Sequence, residues 1–144
     1  MFSGHYDYKV DEKGRMPLPR HFREQLKRGK GGVITECTEK CIAIYSQVGW
    51  DKHVKEVSSK KMRPADRRKL NRAMFFNAFA IHFDGQGRIT LPGELRDHAE
   101  ITDSTIVIGC GDCIEIWNEE WGRAAIGEAR EERPQMENMS WEHE

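Results

Sequence analysis

No stretch of this 144-residue chain approaches the roughly 18 uninterrupted apolar residues of a membrane-crossing helix. Its first ten residues, Met1 to Val10, lack the basic segment and apolar stretch of a secretory signal. Both absences lead to the expectation of a cytoplasmic protein with no membrane partner. Cysteines number only four, and in a chain that reads as cytosolic they point to free thiols rather than a disulfide framework. Catalytic patterns are missing too. The six histidines share no spacing that would build a common base, no serine stands in an elbow motif, and no glycine-rich phosphate loop occurs. Neither an enzyme nor a cofactor is expected. What is present is 33% charged and 38% hydrophobic, and the apolar residues come in short clusters, which argues for a folded chain. The length allows one compact domain, or two lobes of about 70 residues sharing a core.

A net charge of −1 hides an asymmetry. Residues 1–80 hold 18 Lys and Arg against 9 Asp and Glu, whereas residues 81–144 hold 5 against 15. The basic half is either a solvated face or the footprint of a polyanionic partner.

The chain also repeats itself. Val10-Asp11-Glu12-Lys13-Gly14-Arg15-Met16-Pro17-Leu18-Pro19 recurs as Phe83-Asp84-Gly85-Gln86-Gly87-Arg88-Ile89-Thr90-Leu91-Pro92. Phe22-Arg23 falls on Leu95-Arg96 and Val33-Ile34 on Ile106-Val107 at the same offset; after a one-residue slip, Cys41 to Tyr45 falls on Cys113 to Trp117. Two copies are too few for a solenoid and predict a pseudo-symmetric pair packed on each other.

Each copy reads as strand, turn, strand, helix and two further strands. Tyr6 to Val10 alternates apolar with polar residues, the period of a half-buried strand. Asp11-Glu12-Lys13-Gly14 is a turn with Asp first and Gly fourth. Pro17 places the second strand at an edge or bulge. Pro19 opens a helix over Arg20 to Arg28 that Gly29 stops, with Phe22 and Leu26 buried. Between the copies, helices are expected over 51–57 and 65–80, with Leu70, Ala73 and Met74 on one face. Phe75, Phe76 and Phe79 widen that apolar side, for burial against another subunit or in an intrachain core. The domain reading is 5–49 for the first repeat, 50–77 for connecting helices, 78–121 for the second repeat, and 122–144 for an acidic, frayed tail.

Two constellations carry possible chemistry. Cys37 and Cys41, with Cys110 and Cys113, could ligate zinc as four thiolates. The alternative, small buried thiols at the entrances of apolar strands, is preferred because nothing in the sequence brings the two pairs together. The Asp-x-x-Gly-Arg element places Asp11 opposite Arg15 and Asp84 opposite Arg88. Such a pair is either a cross-hairpin ion pair or a device that aims a planar guanidinium at phosphate or guanine. Lys9, Lys13, Arg20 and Arg23 surround the first copy, so Arg15 is read as functional. Acidic neighbours around the second copy, Glu94, Asp97 and Glu100, lead to Arg88 being read as structural, with Asp11, Gly14, Asp84 and Gly87 as motif support.

The tandem motif, the opening Met1-Phe2-Ser3-Gly4, and the endings Cys41 to Tyr45 and Ile114 to Trp117 resemble the MraZ family from Met1 to about Trp121. The resemblance implies an α+β, mainly β fold of two AbrB/SpoVT-like swapped-hairpin repeats with pseudo-two-fold symmetry and short helices. It further implies a nucleoid-associated repressor of the bacterial division and cell-wall gene cluster that binds direct repeats in double-stranded promoter DNA as a ring-shaped homo-oligomer. DNA contacts would fall on Asp11 to Arg15 and the basic residues beside them. The alternative is an AbrB-like antitoxin whose main partner is a protein. The resemblance assigns no role to Cys37, Cys110 or Cys113.

Overall fold

The alternation from Tyr6 onward forms a strand, β1 (His5–Lys9), but its partner is not in its own repeat. In the computed structural model, which describes residues 1–139, β1 pairs antiparallel with β7 (Ser104–Gly109) of the second repeat, with Asp7 opposite Ile106. The equivalent strand of the second repeat, β5 (Phe79–Ala80), pairs with β3 (Gly32–Glu36) of the first, with Phe79 opposite Ile34. Each repeat thus lends its first strand to the other. Completed by β4 (Ile42–Ser46) and β8 (Ile114–Asn118), the six-stranded sheet runs β1-β7-β8-β4-β3-β5, and it reads the same from either end once repeat-equivalent strands are exchanged. The pseudo-two-fold axis passes between β8 and β4, where Ala43 faces Glu115. The remaining strands, β2 (Arg15–Pro17) and β6 (Arg88–Thr90), form a separate two-stranded ribbon across the same axis, with Met16 opposite Ile89. The swapped-hairpin, mainly β expectation holds.

Packing follows the repeat. Met16, Leu18, Phe22 and Leu26 are matched in the core by Ile89, Leu91, Leu95 and Ala99, each 73 residues on. Ile34, Ile42 and Ile44 from the sheet are matched by Val107, Ile114 and Ile116. One shared core results, to which a fully buried Phe22 or Leu95 contributes about 1.5–3 kcal/mol by removal from water. Helices α1 (Arg20–Arg28) and α4 (Gly93–Ala99) carry Phe22, Leu26, Leu95 and Ala99 into it. Pro19 and Pro92 stand at their N-caps, where a missing N–H costs nothing.

The opposite sheet face is covered by helices that follow each last strand. Ser46 caps α2 (Gln47–Ser58), its Oγ accepting from the Gly49 N–H at 3.0 Å; Asn118, its repeat equivalent, caps α5 (Glu119–Glu137) through the Glu120 N–H at 3.0 Å. Helix α5 corrects the frayed tail expected after Trp121 as far as Glu137; residues 140–144 of that tail lie outside the described residues. Ala125 and Ile126 pack on Ile106, Ile108 and Trp117, and Arg123 donates to both carboxylate oxygens of Asp7 at 2.9 Å, so the segment is a docked helix.

A second correction concerns the connecting helices. Helix α2 begins at Gln47, and α3 (Pro64–Phe76) ends before Phe79, which belongs to β5. None of the residues of α3 is buried, and Phe75, Phe76 and Phe79 are exposed, Phe76 by 74%. Of the two explanations for that apolar excess, the intrachain core is removed. Among the described residues no helix is long and apolar enough to cross a membrane.

Candidate nucleic-acid interface

The two Asp-x-x-Gly-Arg turns have one geometry. The Asp11 carbonyl accepts from the Gly14 N–H at 2.9 Å, while Oδ1 accepts from the backbone of Lys13 at 2.9 Å and of Arg15 at 2.8 Å. Its Oδ2 accepts from Arg15 Nε at 2.8 Å. Asp84 does the same with Gly87, Gln86 and Arg88, ending in the Arg88 Nε bond at 2.8 Å. Gly14 and Gly87 close the turns at φ of +78° and +74°, where a side chain is disfavoured. Backbone hydrogen bonds to Arg15 and Arg88 lead in holding both Asp carboxyls below the ordinary carboxylate value; partial burial opposes them, and the guanidinium bonds add to them.

Each Asp therefore fixes its arginine through Nε. Among the described residues the Nη groups of Arg15 meet no hydrogen-bond acceptor, and Arg88 Nη1 has only a longer ion pair to Asp11. Met16 and Ile89 point into the core, so Arg15 and Arg88 stand together on the outer face of the β2–β6 ribbon. They also share an anion: Asp11 Oδ2 lies 3.8 Å from Arg88 Nη1.

The surroundings of the two turns are exchanged relative to the sequence. Arg23 of α1 lies against Gly87 of the second turn, where a Cβ would collide with its guanidinium. Arg96 of α4 lies against Gly14 of the first turn, with its Cζ 3.1 Å from where a Cβ would sit. A groove of about 680 Å³ joins α1 to the second turn, lined by Arg20, Arg23, Lys27 and Lys30 on one side and Asp84, Gly85 and Gly87 on the other. The turn that precedes Arg88 thus adjoins the basic helix, while the charged partners of Arg88 itself are Asp84 and Asp11.

The other expected contacts divide. Lys13 is exposed at the tip of the first turn. Arg20 is exposed on α1 and paired with Glu24 at 3.0 Å. Lys9 is exposed at the end of β1, 4.0 Å from Asp103. Arg23 is half-buried beneath the second turn with its Nε unpartnered, so it supports that turn from below. Sequence reasoning aligned Arg96 with Arg23 but gave it no role, and it passed over Lys30. The 73-residue offset that maps Arg23 onto Arg96 was the available signal that both support a turn.

Comparison with known proteins follows the repeat. A family model described as "MraZ protein, putative antitoxin-like" matches residues 1–73 and again 74–134. A protein of Dehalococcoides mccartyi strain BAV1 named "Transcriptional regulator MraZ" is 38% identical over 144 residues, 99% of this chain and 100% of its own. Proteins of the same name from Thermomicrobium roseum (38% identical, 87% of each chain) and Moorella thermoacetica (37%, covering 82% of this chain and 81% of that one) are similar.

Proposed function

This chain belongs to the MraZ family, and from that premise we propose that it is a non-enzymatic, sequence-specific DNA-binding regulator of transcription. It acts in the cytoplasm on the nucleoid, repressing the bacterial division and cell-wall gene cluster from direct repeats in the promoter, as a ring of identical subunits.

The observation that carries this reading is the β2–β6 ribbon, with Arg15 and Arg88 side by side on its outer face, each oriented by an aspartate. The major groove of B-DNA admits a two-stranded ribbon, and an arginine fork meets the O6 and N7 of guanine bidentately. Lys13 beside the ribbon, and Arg20, Lys27 and Lys30 along the groove, serve as phosphate contacts that set register. Arg23 and Arg96 position the turns. Arg88 joins Arg15 as a base-reading residue in this reading, because the exchanged hairpins bring both to one surface.

One small module binds weakly; several on one ring gain avidity when their spacing matches the DNA repeats. The exposed Phe75, Phe76 and Phe79 supply an apolar surface for subunit contact. The same surface, with the wording of the family description, favours a second reading as an antitoxin-like module whose partner is another protein. Native mass spectrometry with and without promoter DNA separates the two. A homo-oligomer that takes up duplex supports regulation, and a heterologous protein complex that ignores duplex supports the alternative.

A further inference from the structure

Away from the ribbon, on the sheet face that carries α2, α3 and α5, three donors from the two repeats converge. The turn between β3 and β4 is closed by the Cys37 N–H donating to the Cys41 carbonyl at 3.1 Å and by the Cys41 N–H donating to the Glu39 carbonyl at 2.8 Å. It brings the Cys37 and Cys41 sulfurs to 2.9 Å. Across the pseudo-two-fold axis Ala43 faces Glu115, and the small side chain leaves the carboxylate room to reach the thiols. One ligand atom from each of Cys37, Cys41 and Glu115 lies within 4.8 Å of the others. Glu115 is itself oriented, since its Oε1 accepts from Trp117 Nε1 at 2.8 Å. A cavity of about 520 Å³, lined by Cys37, Tyr45, His53, Cys113 and Glu115 among others, opens on the cluster.

The four-thiolate set considered from spacing is not the one assembled here. We propose that Cys37, Cys41 and Glu115 bind a thiophilic divalent cation, zinc by its chemistry, and that the ion ties the first repeat to the second. Two thiols and a carboxylate are zinc donors by type, and a tetrahedral ion leaves a fourth position for water or for Cys113, which lines the same cavity. The sulfur spacing lies between a disulfide, about 2.05 Å, and two thiolates on one zinc, about 3.8 Å apart for Zn–S bonds near 2.3 Å. The pair would open slightly around the ion. The bond from Glu115 to Trp117 is the kind of outer contact that fixes a metal ligand's orientation.

This site is independent of the DNA-binding reading and is tested apart from it. The reduced, metal-free full chain is titrated with cobalt(II), then with zinc. The expected result is one equivalent of cobalt with thiolate-to-metal charge-transfer and tetrahedral d–d bands, displaced by zinc, and a melting temperature raised by zinc. Cys37→Ser should weaken cobalt binding at least about tenfold and reduce the charge-transfer intensity, and Glu115→Gln should weaken it about tenfold or more. Both spare the fully buried Cys41. Absence of thiolate bands in the wild type would overturn the proposal. So would binding that survives both Cys37→Ser and Glu115→Gln, or loss of two hydrogens per chain to a Cys37–Cys41 disulfide in zinc-replete protein.

Discussion

Arg23 of the first repeat lies beneath Gly87 of the second, its guanidinium occupying the space that a Cβ at Gly87 would need. The contact joins a basic helix to a turn more than 60 residues away in sequence, and Arg96 beneath Gly14 is its pseudo-symmetric counterpart. Through these two contacts the exchange of hairpins reaches the proposed DNA surface, because each turn rests on a helix of the other repeat.

Gly87→Ala should therefore destabilise the second turn. The left-handed backbone at φ +74° costs an L-residue about 1–2 kcal/mol, and Arg23 must move as well. Gly85→Ala, two residues earlier, meets no atom within 4 Å and has no positive φ, so it should be close to neutral. Calorimetric melting of the two variants checks the difference; equal melting temperatures would contradict the tight packing of Arg23.

The aspartates set a pH dependence. Their pKa values are depressed in the folded chain, chiefly by backbone hydrogen bonds to Arg15 and Arg88. Their stabilisation is thus fully present above the unfolded value of about 3.9 and is lost as pH falls through the folded value. The difference in melting temperature between wild type and Asp11→Asn should be flat from about pH 5 to 8 and shrink in more acidic buffer. A difference that changes between pH 6 and 8 would implicate another group.

Salt should act strongly on DNA binding. Each phosphate contacted adds about 0.9 to the negative slope of log affinity against log salt on B-DNA. Several subunits engaging at once should give a slope corresponding to at least about five contacts. Fluorescence anisotropy across a salt series measures it, and a flat response would remove the phosphate contacts assigned to Lys13, Arg20, Lys27 and Lys30.

Local signals in the chain carried well. Pro19 and Gly29 bracket α1 as read from the sequence, and the Asp-x-x-Gly-Arg turns close with their cross-hairpin bonds. The end of α3 was hidden because Phe79 and Ala80 continue its apolar composition; only pairing with Val33 and Ile34, far away in sequence, makes them a strand. Helix α5 was masked by its charge, since the residues that dock it, Arg123, Ala125 and Ile126, find partners on β1, β7 and β8. The contact of the second turn with Arg23 was hidden for a related reason: counting charges along the chain gives the full set of neighbours only when a hairpin packs within its own repeat. The cluster of Cys37, Cys41 and Glu115 was hidden as well, because it exists only once β4 of one repeat pairs with β8 of the other.

The most direct test titrates promoter DNA against Arg15→Ala and Arg88→Ala, with mass in solution and melting temperature recorded for each. Loss of a bidentate base contact costs about 1–3 kcal/mol per site, and a ring multiplies it. Because both guanidiniums stand on one face of the ribbon, each substitution alone should abolish or severely weaken binding while the oligomer stays intact and the melting temperature nearly unchanged. Wild-type affinity in either variant would contradict the account, and wild-type affinity in both would remove the ribbon as the DNA-reading element.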